Sequence, residues 1–472
     1  MRPVFQGVLL FIAGCVGAAA VAQTPQKINP DDDRYKADIL IVVAHPDDEA
    51  FFTPYAVKAL NDMHKSVAVV FSTRGGSGAN RFTRERGPAM ANEREIEARE
   101  ACAKLGIKKV WFLDGKDSAS QNVLDSLSNW GHGANLERIV GLIRLTKPDV
   151  ILTHHPGIFV GEDHGDHQAT GVLVVEAFDL AGNPAVFPAQ LSGDMTHYES
   201  YLSNLQPWQA KKIYVGSDAD DSKQFDGTGP TYSPRQISPS LKEPYWRPAL
   251  ESAMAHRTQF PDFIDRVAKM SDAELEKMMS DPDTGWWGEP STLIFAKSVV
   301  GGAPTDPVFS HLDDQPVNPA SQAVSSCEPR GHKTEMPRVE IGGPWQFYSH
   351  FYPQHGLCGL KVAKTPEMVL KAGNTLIVPL VIAHDATKSA ELTLSVKLPE
   401  GWKAGQGPLK FTLPAESSTP VSIHVETPTL SGEALKNAVL QEVRVAAEVD
   451  GKPAGEVMLR VTLKANVLPQ SL

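Results

Sequence analysis

A chain of 472 residues with 42% hydrophobic side chains can bury two or more cores, which excludes a small scaffold stapled by disulfides. Its 56 acidic residues outnumber its 45 basic ones for a net charge of −11, and no basic block runs along it. Nucleic acid is therefore excluded as a partner.

Met1-Arg2 and the apolar run from Val8 to Val21 read as a secretory signal over residues 1–22, with Ala20-Val21-Ala22 as a small-residue cleavage site before Gln23. The run is shorter than the ~20 residues that a membrane-spanning helix needs. The expected location is the periplasm or the extracellular space. Ile12-Ala13-Gly14-Cys15 offers an alternative, a lipoprotein box that would lipidate Cys15 and tether the protein to a membrane. Past the signal, Cys102 sits in a helical apolar pattern and reads as a buried small hydrophobe. Cys327 and Cys358 would be free to pair in an oxidising compartment.

From Lys36 to Leu180 short apolar runs alternate with helical spacings. The strands are expected at Ile39–Ala44, Val67–Ser72, Val110–Leu113 and Val150–Thr153. The helices are expected at Ala50–Asp62, Asn92–Leu105, Asn135–Thr146 and Gln168–Leu180. This order predicts an α/β fold, a Rossmann-like and mostly parallel sheet with helices on both faces. A strand at Lys212–Val215, a helix from Tyr245 to Gln259 and an acidic helix at Asp272–Ser280 extend this domain to about residue 300. Residues 301–360, rich in Pro, Gly, Ser and His, read as a linker or an irregular packing segment held by its aromatics. Over 361–468 the runs Leu376–Ile382, Leu392–Val396, Val421–Val425, Val443–Ala447 and Val457–Val461 predict an all-β sandwich of the immunoglobulin-like type.

The chemistry gathers at strand ends. The first strand runs into His45-Pro46-Asp47-Asp48-Glu49, and the carboxyl edge of a parallel sheet is where ligands bind. Consecutive aspartates at such a turn point in different directions, so one is able to bind a metal while the other faces a water. His164 and His167, spaced i, i+3 at the start of a predicted helix, share one face. Together these groups supply the three-ligand set of a catalytic metal site and fit metal-assisted hydrolysis. Alone, Asp47-Asp48 reads more readily as a helix cap, and a His-x-x-His pair as a surface or capping feature. His154 and His155 end their own strand and are read as supporting or structural residues.

Ala44-His45-Pro46-Asp47-Asp48-Glu49 with His164-Gly165-Asp166-His167-Gln168-Ala169 resembles the PIG-L/LmbE family of zinc-dependent N-deacetylases, across about half of the chain. Further matches are Ser72-Thr73-Arg74-Gly75-Gly76, Arg94 through Gly106, Asp117-Ser118 and the late helical element Ala253–Gln259. The resemblance implies Zn2+ held by His45, Asp48 and His167, with Asp47 as general base and His164 as acid or oxyanion partner. It also implies that Arg94 and Asp117 contact a substrate, an N-acetylated sugar or another small-molecule or glycan amide. The chain departs from some members at Gly161-Glu162-Asp163, where they carry an aromatic hydroxyl. A rival reading is a non-catalytic glycan-binding protein that uses its β-sandwich. A dinucleotide-dependent enzyme is disfavoured, because no Gly-x-Gly-x-x-Gly follows the first strand and two aspartates would oppose a pyrophosphate.

Overall fold

The structure is a computed structural model that describes residues 33–118, 120, 122–157, 164–192, 204–216, 227–281, 291–317, 337–357, 359–360, 366–405, 409–430 and 439–464. The expected signal segment with Cys15, the expected pair Cys327 and Cys358, and Gly161-Glu162-Asp163 lie outside them.

The first sheet is built from β1 (Ile39–Val43), β2 (Val67–Thr73), β3 (Lys109–Gly115), β4 (Val150–His154) and β5 (Lys212–Gly216). After a small antiparallel pair, β6 (Thr231–Tyr232) and β7 (Ser291–Thr292), β8 (Ile294–Ser298) closes the edge. The order is β3-β2-β1-β4-β5-β8, parallel except for the last pair. Helices α1 (Thr53–Asn61), α2 (Pro88–Lys104), α3 (Val123–Trp130), α4 (His132–Thr146) and α5 (Gly165–Leu180) connect the strands. Beyond β6 come α6 (Trp246–Ala253), α7 (Pro261–Val267) and α8 (Asp272–Ser280), the last opened by a Ser271/Glu274 capping box.

β1 shows why this sequence makes a central strand. All five of its side chains are buried, and successive residues face opposite layers. Leu40 and Val42 pack with α3, α4 and α5, whereas Ile39, Ile41 and Val43 pack with α1 and α2. Each such side chain contributes about 1.5–3 kcal/mol on burial, so a polar residue at any of these positions would open one layer. Cys102 is buried on α2 in the second of these cores.

β1 lies between β2 and β4, so the chain steps one way from β1 to β2 and the other way to reach β4. The crevice at their carboxyl ends is the topological switch point of the sheet. There α5 crosses β4 closely: a Cβ on Gly171 would stand 2.5 Å from the His154 carbonyl oxygen.

The C-terminal fold is a sandwich of β9 (Arg338–Ile341), β10 (Glu367–Lys371), β11 (Thr375–His384), β12 (Ala390–Lys397), β13 (Lys403–Ala404), β14 (Lys410–Leu413), β15 (Ser417–Glu426), β16 (Val439–Val449) and β17 (Lys452–Lys464). Its two sheets run β10-β17-β16-β12-β14 and β13-β15-β11-β9, antiparallel apart from the β10–β17 pair. Leu376, Val378, Leu380 and Ile382 of β11 alternate into its core. The five strands expected from the sequence fall on β11, β12, β15, β16 and β17.

The segment expected as a linker or irregular piece does more than connect. β9 pairs with β11 inside the sandwich, and the helix Pro344–Gln354 then buries Tyr348, Phe351 and Tyr352 in the core that contains α4 and α5. A four-residue strand and a helix bearing Pro344 and Pro353 carry little periodicity, which is why the pattern read as irregular. Among the described residues no helix is long and apolar enough to cross a membrane.

Candidate metal centre

Where β1 ends, the chain turns sharply. Asp47 takes φ 113°, left-handed backbone that a non-glycine residue adopts only under constraint, and a short 3-10 turn, Asp48–Phe51, follows. This turn folds the Asp48 carboxylate back onto the strand end, where its Oδ2 accepts the His45 backbone N–H at 2.7 Å. The same oxygen lies 3.2 Å from His45 Nδ1, 3.1 Å from His154 Nε2 and 3.4 Å from His167 Nε2. All four side chains are buried.

Three elements deliver these histidines: the β1 turn, the last residue of β4 and the first turn of α5. His164 is the N-cap of α5, and its Nδ1 accepts the Asp166 backbone N–H at 3.3 Å. With the Nδ1 lone pair occupied in that way, the hydrogen-bond network assigns the ring proton of neutral His164 to Nε2. Its ring stacks on His167 at 4.3 Å and stands 5.0 Å from His45.

Burial pushes the Asp48 carboxyl up, but the imidazoles of His167, His45 and His154 outweigh it and hold the group well below the usual carboxylate range. Burial, followed by the neighbouring His167 and His45, drives His164 well below an ordinary histidine. Ligand atoms of His45, His164 and His167 lie within 4.8 Å of one another, as do those of Asp48, His154 and His167. Crowded imidazoles around one buried carboxylate disfavour protons on one another, whereas a divalent cation accepts their lone pairs together. The nitrogen-rich donor set with one carboxylate is the set that such a cation takes, so the residues fit a metal.

A third group, His45, Asp117 and Asp166, adjoins the first two. Asp117 Oδ1 lies 3.4 Å from His45 Nε2, and its Oδ2 accepts the Ser77 N–H at 2.6 Å. Asp166 is wholly buried and accepts hydrogen bonds from the backbone N–H and the hydroxyl of Ser118. Its Oδ2 is also 3.4 Å from His45 Nε2. Asp117, which the resemblance placed at the substrate, thus also borders the metal cluster. His155 turns away, its Nδ1 accepting the Gly157 N–H at 3.0 Å.

Asp47 stands beside this cluster with a different environment. Its Oδ1 is buried with no hydrogen-bond partner. Burial first, and then the charges of Asp48 and Glu49, raise its carboxyl to about 7. The Asp47 N–H donates to Glu49 Oε2 at 3.0 Å, and Glu49 Oε1 lies 2.6 Å from His256 Nε2. Burial lowers the His256 imidazole, but Glu49, Asp47 and Glu97 together hold it above its ordinary value. Gln259 Nε2 donates to the Pro46 carbonyl at 2.6 Å.

Arg94 is buried on α2 rather than lying on a helix surface, and donates to the Ala79 carbonyl at 3.1 Å. Its guanidinium occupies space that Gly75 and Gly78 leave empty, since a Cβ on either would approach it within 2.9 and 3.1 Å. Gly75 also needs its φ of +67°. The positive charge of Arg94 lies near enough to lower the Asp47 carboxyl against its burial.

The structure therefore brings His45, Asp47, Asp48, His164 and His167 together at the switch point, with Asp117 beside His45 and Arg94 behind Asp47. His154, read as supporting or structural, supports the central carboxylate by direct contact with its oxygen. One expectation changes. The helix expected through Gln259 ends at Ala253, and residues 254–259 tighten into turns with His256 N–H bonded to the Ala253 carbonyl at 3.1 Å. Residues 254–259 are drawn off the helical path because Thr258 is tied to Glu97 and His256 to Glu49. Sequence reasoning missed Asp166 and Glu97; Asp166 sat in view within His164-Gly165-Asp166-His167.

Residues 40–178 match the family model described as PIG-L: GlcNAc-PI de-N-acetylase. A 1D-myo-inositol 2-acetamido-2-deoxy-alpha-D-glucopyranoside deacetylase of Thermobifida fusca is 24% identical over 255 residues, which is 47% of this chain and 82% of that protein. A diacetylchitobiose deacetylase of Thermococcus kodakarensis is 29% identical over 168 residues, 35% of this chain and 58% of that protein. The solved N,N'-diacetylchitobiose deacetylase of Pyrococcus horikoshii is 20% identical with a TM-score of 0.36, covering 57% of this chain and 86% of that one. The family match runs from β1 through most of α5, and so takes in both halves of the metal cluster: residues 40–178 of this chain are a PIG-L family domain.

Proposed function

We propose that this protein is a zinc-dependent hydrolase that removes an acyl group from the amide nitrogen of an N-acetylated sugar or glycoconjugate. One observation carries the reading. A buried carboxylate oxygen of Asp48 is faced by three imidazoles, and next to it Asp47 holds a buried oxygen that nothing among the described residues satisfies. The names of the two curated relatives, both deacetylases of acetylated amino sugars, support the substrate class.

His45, Asp48 and His167 would hold the metal, with His154 steadying the Asp48 carboxylate. Zinc bound there would polarise an amide carbonyl and acidify a water beside it. Asp47 then accepts the proton of the attacking water on its unpartnered oxygen. His164 presents its Nε2–H to the carbonyl oxygen as negative charge develops there, and the proton that Asp47 took from the water then passes to the departing amine. Arg94 and Asp117 are the residues that would contact the sugar. The buried groups have no purpose in a protein that binds glycan through its sandwich alone.

The test is metal content together with turnover on acetylated amino sugars. Asp47→Ala should retain its zinc while kcat falls by about 10²–10⁴, and His45→Ala should lose both. Full turnover by a zinc-loaded Asp47→Ala protein would overturn the assignment. We also propose that the chain is exported, on the strength of the apolar run Val8–Val21 and its cleavage site.

A further inference from the structure

The Asp47 backbone is strained, and two side chains, one only two residues on and one from far along the sequence, hold it on either side. Glu49 Oε2 accepts the Asp47 N–H, and Gln259 Nε2 donates to the carbonyl of Pro46 immediately before it. Glu49 is itself fixed by His256, 207 positions later, at 2.6 Å. Asp47, Glu49, His256 and Gln259 are all at least nine-tenths buried.

The turn that carries His256 and Gln259 is anchored in its own right. Thr258 donates from its backbone N–H and its hydroxyl to the two oxygens of Glu97 at 2.9 and 2.7 Å, and Ser252 Oγ donates to the Ala101 carbonyl at 2.9 Å. Glu97 and Ala101 belong to α2, and Glu97 lies i, i+3 from Arg94. One helix therefore locates both the clamp on Asp47 and the cation behind it.

A carboxylate buried only to stabilise a turn is a poor choice, because desolvation opposes it. Left-handed backbone held by buried polar groups is what a side chain aimed at one point in space requires. We propose that Glu49, His256 and Gln259 are positioning residues, which fix the left-handed backbone of Asp47 and thereby aim its carboxyl at the reacting water. The inference rests on the deacetylase reading for its catalytic consequence, but its geometric content stands apart from it.

The experiment uses the full-length zinc-loaded protein with Glu49→Ala, Glu49→Gln and His256→Gln. In a crystal structure of Glu49→Ala, Asp47 is expected to relax to negative φ. With acetylated chitobiose as substrate, kcat should fall by roughly 100-fold, the scale on which a small misplacement acts, while KM and zinc per chain stay at wild-type values. Glu49→Gln keeps the shape and an acceptor for the Asp47 N–H, so it should recover most of the loss, and His256→Gln should fall between the two. If Glu49→Ala does not fold, Glu49→Gln and His256→Gln carry the same comparison. Positive φ at Asp47 in Glu49→Ala, or kcat within about threefold of wild type across all three variants, overturns the proposal; a threefold change lies well below the loss expected for a misaimed base. Absence of turnover in the wild-type protein would instead refute the deacetylase reading, and the crystallographic φ would still decide the clamp.

Discussion

Arg144 offers a stringent test of the packing around α5. It is wholly buried on α4 with no carboxylate partner, and its guanidinium spends all five N–H groups on neutral oxygens. The acceptors are the carbonyls of Ala181, Asn183, Val186 and Phe187 and the side-chain oxygen of Gln190, at 2.8–3.3 Å. Arg144→Met keeps the apolar stem and removes every donor. Three carbonyls retain a second partner, since Ala181 O also accepts from Trp208 N, Asn183 O from Val186 N and Phe187 O from Gln190 N. Val186 O and Gln190 Oε1 do not. Two newly unsatisfied acceptors at about 1–3 kcal/mol each, less the relief of removing a buried charge, give a loss of about 3 kcal/mol. Spread over a single cooperative unit of about 400 residues, that is a fall of roughly 3–4 °C in melting temperature. Arg144→Lys, with three donors and no fork, should recover less than half. Thermal and urea unfolding followed by circular dichroism measure it, and a methionine variant melting within about 2 °C of wild type would refute the reasoning.

Two further outcomes follow from features elsewhere. Burial works against the Asp62 carboxyl, but hydrogen bonds from Tyr245, Ser240 and Ser238 together outweigh it and hold the group at about 2, below its ordinary 3.8. Its contribution is therefore complete above pH 4–5 and lost as pH falls through 3.8 toward 2; Asp62→Asn should cost about 1 kcal/mol at pH 7, after allowance for solvent screening, and progressively less in urea melts toward pH 3. Expression with the native N-terminus in a secreting bacterial host should yield a mature protein beginning at Gln23 by N-terminal sequencing, whereas a lipid-modified Cys15 or a retained leader would contradict the signal assignment.

Much of the α/β fold was legible because its strands are buried on both faces: the run Ile39–Val43 admits no amphipathic alternative. The halves of the metal cluster were legible for a related reason, since polar clusters at the ends of such runs have few structural uses. What could not be read was partnership at a distance. His154 beside His155 gives no hint of which ring turns inward; only the register of β4 against β1 sends His154 to Asp48. Asp166 carried no assigned role between its two histidines, yet the α5 N-terminus aims it at Ser118 and His45. Glu49 and His256 are separated by 207 positions, and helical spacing suggested an ordinary helix where the chain in fact turns to reach the active-site loop. The boundary at residue 361 failed similarly, because a short strand between proline-rich stretches has no pattern until β11 pairs with it.

The helix Pro344–Gln354 follows the first strand of the sandwich but is buried in the other fold, where the Tyr348 hydroxyl donates to Gln168 Oε1 at 3.2 Å, one residue beyond His167. At the end of that helix His355 Nδ1 lies 2.8 Å from Asp179 of α5, whose other oxygen meets Lys297 of β8. The α/β fold thus does not complete its core within its own stretch of chain. The two should unfold in a single cooperative transition, and the strand-bearing half of the molecule contributes directly to the mechanical stiffness of the helix that carries His164 and His167.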